Sequence, residues 1–68
     1  MDAIMADTPL PKTSRPAQSA LEAVGIHTLE HLAQWTERDV LALHGMGPKA
    51  IRILREAMAE RGLPFRSS

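Results

Sequence analysis

The chain has no cysteine and no tyrosine, one tryptophan, one phenylalanine, and no excess of charge of either sign. Without cysteine, neither a disulfide nor a thiolate zinc site can hold it together. With aromatic residues at 3% of the composition, a core has to be filled by leucine, isoleucine, methionine and alanine. Eight basic and eight acidic residues balance formally, which argues against indiscriminate, histone-like binding of nucleic acid. Long apolar runs are missing, and the acidic start Met1-Asp2-Ala3-Ile4-Met5-Ala6-Asp7 lacks the make-up of a signal peptide. The expectation is a soluble, cytoplasmic protein. No serine-histidine-aspartate or paired-carboxylate grouping stands out, so neither catalysis nor a cofactor is expected. His27 and His31 stand four apart, a spacing that can set two imidazoles on one helix face, but no third ligand accompanies them and no metal is expected.

Sixty-eight residues allow one domain with a small core. The apolar spacing is helical throughout, which predicts an all-α bundle of four to five short helices. Residues 1–13 hold Pro9 and Pro11 with little periodicity and read as a flexible N-terminal tail. Ser14 can cap a helix from Arg15 or Pro16 that buries Ala17, Ala20, Leu21 and Val24 and ends at Gly25. Thr28 can cap a second, carrying Leu29, Leu32 and Ala33. Thr36 can cap a third, Glu37 to Leu43, with Val40, Leu41 and Leu43 turned inward and Asp39 placed as in a capping box. A fourth starts at Pro48 and runs to about Arg61, burying Ala50, Ile51, Leu54, Ala57 and Met58. Gly62, Leu63 and Pro64 form a stop signal, with Leu63 and Phe65 folding back on the core. The packed domain is thus expected over residues 14–65, with 66–68 frayed.

The stretch with the most chemistry is Leu43-His44-Gly45-Met46-Gly47-Pro48-Lys49-Ala50, the turn of a helix-hairpin-helix. Glycines let a main chain lie directly against a ligand, and Pro48 suits the first turn of a helix. Unpaired N–H groups there, the positive end of the helix dipole and Lys49 together suit a phosphate. Charge follows the same division. Residues 1–44 set Lys12, Arg15 and Arg38 against six carboxylates, net −3; residues 45–68 set five cations against Glu56 and Glu60, net +3. In the phosphate reading, N–H groups around Gly47, Lys49 and Ala50 grip the backbone while Lys49 and Arg52 supply counter-charge. In the structural reading the glycines only make a tight connection between packed helices. Arg15 and Ser19, one turn apart on the first helix, face the same groove if the two helix starts converge; otherwise they are a solvated helix end.

Residues 14–65 resemble the C-terminal domain of the bacterial RNA polymerase alpha subunit. The likeness runs through Ala20-Leu21, Gly25-Ile26-His27-Thr28-Leu29, Leu32, Thr36-Glu37, Val40-Leu41, Met46-Gly47-Pro48-Lys49-Ala50 and Glu60-Arg61-Gly62-Leu63. The resemblance implies a SAM-like helix-hairpin-helix fold in a free-standing relative that lacks the assembly domain of an alpha subunit. It also implies binding of double-stranded DNA in the A·T-rich minor groove, and a surface for transcription activators. The implied contacts are the start of the last helix, at Gly47, Lys49 and Ala50, and the start of the first; the residues themselves add Gly45, Arg52, Arg15 and Ser19 as DNA-binding candidates. The chain departs from the family at several points. Its principal groove-reading arginine aligns with Pro16, leaving Arg15 one position out of register. Its neighbouring asparagine aligns with Ser19, its serine after the lysine with Ala50, and a glutamate of the last helix with Ile53. The expected function is a small non-enzymatic DNA-binding protein, weak and salt-dependent, accessory to transcription or another DNA transaction. The alternative is a protein-protein adaptor that keeps the fold without DNA binding and uses an apolar patch near Trp35 or Ile53.

Overall fold

A computed structural model describes residues 8–67 of the chain. Four helices follow one another: α1 (Arg15–Ala23), α2 (Leu29–Leu32), α3 (Glu37–Leu41) and α4 (Pro48–Glu60). Among the described residues there is no strand, only an isolated antiparallel bridge between Pro9 and Thr28. The protein is all-α. No helix in this part is long and apolar enough to cross a membrane.

Each of the first three helices starts where a hydroxyl can take up an orphan amide. Ser14 Oγ accepts from Ala17 N–H at 3.3 Å, Thr28 Oγ1 from His31 N–H at 3.1 Å, and Thr36 Oγ1 from Asp39 N–H at 3.1 Å. Glycine ends the two longer helices in the same way. At α4, Gly62 takes φ +68°, its N–H donates to the Ala59 carbonyl at 3.1 Å, and Leu63 N–H donates to the Met58 carbonyl at 2.9 Å. At α1, Gly25 and Ile26 make the equivalent pair to Glu22 and Leu21. In both cases the residue after the glycine packs inward: Ile26 is buried and Leu63 half-buried against the core.

The core gathers Ala17 and Leu21 of α1, Leu29 and Leu32 of α2, Val40 of α3, and Ala50, Ile51, Leu54 and Met58 of α4 around Ile26 and Met46. Trp35, Leu43 and Phe65 close its edge. Two residues expected inside are outside: Val24 is 39% exposed and Leu41 44% exposed. Both sit at the flank of an apolar stripe where the helix is about to end. Helix α3 stops at Leu41 rather than Leu43, because the chain must turn there to reach the glycines. Across its solvent side, Glu37 forms an ion pair with Arg55 of α4, both exposed, a type of pair worth little in water.

The packed unit includes residues before Ser14, from at least Thr8 onward. Thr8 N–H donates to Glu30 Oε1 at 2.8 Å, its hydroxyl donates to Glu30 Oε2 at 2.7 Å, and its carbonyl accepts from Leu29 N–H at 2.9 Å. Leu10 packs against the core. Residues 8–13 are therefore a strap over α1 and α2 rather than part of a tail; the two prolines that suggested looseness instead hold the strap extended. Residues 1–7 of the expected tail lie outside the described residues. At the other end, Arg66 N–H donates to the Trp35 carbonyl at 2.9 Å, so the chain is tied down one residue past the expected boundary. Ser68 also lies outside the described residues.

Candidate functional site

The turn between α3 and α4 is built around an inserted side chain. Met46 is buried in the core, and its N–H donates to the Leu43 carbonyl at 3.0 Å, which fixes the turn from inside. The glycines on either side have different tasks. Gly45 takes φ +96°, and a Cβ built there would stand 2.7 Å from the carbonyl oxygen of Pro16. The turn therefore rests directly on the start of α1. Gly47 has φ −121° and ψ 174°, an extended backbone that any residue can adopt, and a Cβ there would meet nothing within 4 Å. Gly45 thus uses a backbone region that favours glycine, and Gly47 does not.

Gly47 is the N-cap of α4, and it offers no side chain to the amides that follow. Pro48 has no N–H to satisfy, so the exposed helix start is the work of Lys49 and Ala50. The start of α4 opens into a groove of about 450 Å³. Its lining joins Gly45, Gly47, Pro48, Lys49, Ala50 and Ile53 to Lys12, Thr13 and Ser14 of the strap and the cap of α1. Among the described residues, two lysines and no carboxylate line it. Thr13 Oγ1 on the strap wall is buried without a hydrogen-bond partner among the described residues.

Of the residues picked from sequence, Gly45, Gly47, Lys49 and Ala50 line this groove. Ala50 also belongs to the core, where it is buried. Arg52 is exposed on α4 and outside the groove lining. Arg15 and Ser19 are exposed on α1 and also outside it; Arg15 is the residue between groove-lining Ser14 and Pro16, on which Gly45 rests. The convergence of the two helix starts is thus made by Pro16 and Ser14. Ile53, which the buried stripe did not claim, is half-buried at the groove wall. Sequence reasoning missed Lys12 and Thr13, because nothing local marks a proline-flanked lysine as part of a wall.

The histidines sit elsewhere. His31 Nδ1 accepts from the His27 backbone N–H at 3.4 Å, and the two rings meet edge to face with centroids 6.3 Å apart. Among the described residues, no three histidines or carboxylates are grouped as a metal would need. A second groove, of about 360 Å³, lies between the end of α4 and the tail, where Met58, Ala59, Leu63 and Phe65 give it an apolar lining with Arg55 at its rim.

No protein-family model matches the chain, and no curated protein matches it significantly in sequence.

Proposed function

We propose that this protein is a helix-hairpin-helix DNA-binding module, similar to the C-terminal domain of the polymerase alpha subunit, which holds duplex DNA by its backbone phosphates. One observation carries this reading above the others: the uncapped start of α4 opens into a groove that Lys49 lines and that no carboxylate of the described residues enters. Backbone amides at a helix start, together with the helix dipole and a lysine, are chemistry suited to a phosphate oxygen. Contacts of this kind position a protein on DNA without reading its bases. The contact of Gly45 with Pro16 sets the start of α1 beside the groove, and in this reading the neighbouring Arg15, exposed on α1, is the candidate for the minor groove of an A·T-rich duplex. The role is binding, in support of transcription or another DNA transaction, and no bond-making step is assigned to it.

Titrating labelled protein with an A·T-rich duplex at low salt tests the reading. Amide shifts should concentrate at residues 45–52, shrink as salt is added, and vanish in Lys49→Glu. A spectrum that does not move with excess duplex would remove DNA binding and leave the adaptor reading in its place.

A further inference from the structure

The strap before α1 gives the groove a second cation. Its first residue, Thr8, is fixed by both oxygens of Glu30 and by Leu29 N–H, and its last, Ser14, is fixed as the cap of α1. Between those anchors Pro9 pairs with Thr28, Leu10 packs on the core, and Pro9 and Pro11 restrict the backbone. The course that remains places Lys12 in the lining of the groove that Lys49 also lines. An anionic chain entering there meets two lysines supplied by segments far apart in sequence, with no carboxylate among the described lining residues to oppose it.

We propose that Lys12 is a phosphate-holding residue of this groove, alongside Lys49, and that Thr8 and Glu30 are positioning residues that act by fixing the strap. The proposal rests on the reading of the groove as a DNA site and adds to it a second wall. Lysine is a compact point charge, so its contribution is read in the salt dependence of binding rather than in base preference. Glu30 is itself an acid, and its two oxygens are engaged by Thr8, so its role is mechanical. Removing it frees the strap end while leaving Lys12 in the chain.

The experiment is an anisotropy titration of the full chain with a labelled A·T-rich duplex over a range of salt. Lys12→Ala should weaken binding several-fold at low salt and lower the slope of log K against log salt by about 0.9, the share of one phosphate contact. Lys12→Arg should keep both. Glu30→Ala and Thr8→Val should each reproduce part of the loss, and Lys12→Ala/Glu30→Ala should bind no worse than Lys12→Ala alone, because the strap then has nothing to position. Unchanged affinity and slope in Lys12→Ala, with binding lost in Lys49→Glu, would overturn the second wall and leave the DNA reading intact. Additive losses in the double variant, with helical circular dichroism retained, would overturn the positioning role of Glu30. Absence of binding by the unaltered protein would overturn the proposal together with the DNA reading.

Discussion

The α-carbon of Gly45 faces the carbonyl oxygen of Pro16 at a distance that leaves no room for a methyl group: a Cβ would stand 2.7 Å from the oxygen and 3.2 Å from its carbon. Both obstacles are backbone, held by the first turn of α1, and cannot rotate away. Gly45 also has φ +96°, where an L side chain is strained in any surroundings. Gly45→Ala should therefore destabilise the fold by about 2–4 kcal/mol, from backbone strain and forced separation of the turn from α1 together. In a domain of this size that lowers the melting temperature by roughly 10–20 °C, read by thermal circular dichroism. A variant melting with the unaltered protein would show that the turn does not rest on Pro16.

Gly47 should respond in the opposite sense. Its backbone is extended and the space beside it is open, so a side chain fits without strain. Aspartate there would cap α4 and add negative charge at the positive end of the dipole, and Gly47→Asp should leave stability unchanged or raise it by a few tenths of a kcal/mol to about 1 kcal/mol. The same carboxylate would stand in the groove beside Lys49 and repel a phosphate, so DNA affinity should fall at least tenfold. Thermal melting and duplex titration of one sample separate the two effects. Loss of stability in step with loss of binding would mean that the glycine serves packing alone.

The helices were legible because their ends are written locally. Ser14, Thr28 and Thr36 each accept the amide expected of a cap, and Gly62 turns left-handed with Leu63 folded back. The flanks of the apolar stripes were less so: Val24 and Leu41 fit helical spacing, but each lies where its helix is ending and its neighbours have turned away. The strap was invisible. Its anchor joins Thr8 to Glu30, 22 positions apart, and a hydrogen bond over that separation leaves no periodic trace in sequence. For the same reason the α4 wall of the groove was readable from Gly47-Pro48-Lys49, whereas the wall that holds Lys12 was not.

The contrast between Leu54 and Leu41 checks the core assignment. Leu54 is fully buried at the centre of α4, and Leu41 is 44% exposed at the end of α3. Leu54→Ala should cost about 2–5 kcal/mol, from lost burial and the cavity left behind, which is enough to unfold most molecules of a domain with a core this small. Leu41→Ala should change stability by less than about 0.5 kcal/mol. Urea unfolding followed by tryptophan fluorescence reads both through Trp35, which packs at the core edge. Equal losses would mean that α3 presents a different face to α4.

The latch at Thr8 predicts a pH dependence with a definite sign. The hydroxyl of Thr8 and then its N–H donate to the Glu30 carboxylate and hold it below the usual carboxylate range; Arg61 adds a smaller pull in the same direction. A carboxyl group that is more acidic folded than unfolded stabilises the fold fully above its unfolded value, and that stabilisation is lost as pH falls through the folded one. The strap should therefore stay fastened at neutral pH and loosen only in acid, below the range where an ordinary glutamate titrates. Carbon-detected titration of the Glu30 carboxyl group should show the depressed value directly, and the amide of Leu29, which donates to the Thr8 carbonyl, should lose protection over the same acid range. Thr8→Val removes the hydroxyl, so it should return Glu30 toward its ordinary value and move strap release to higher pH. If Glu30 titrates normally in the unaltered protein, the carboxylate does not carry the latch, and the strap must be held by Leu10 and the Pro9–Thr28 bridge alone.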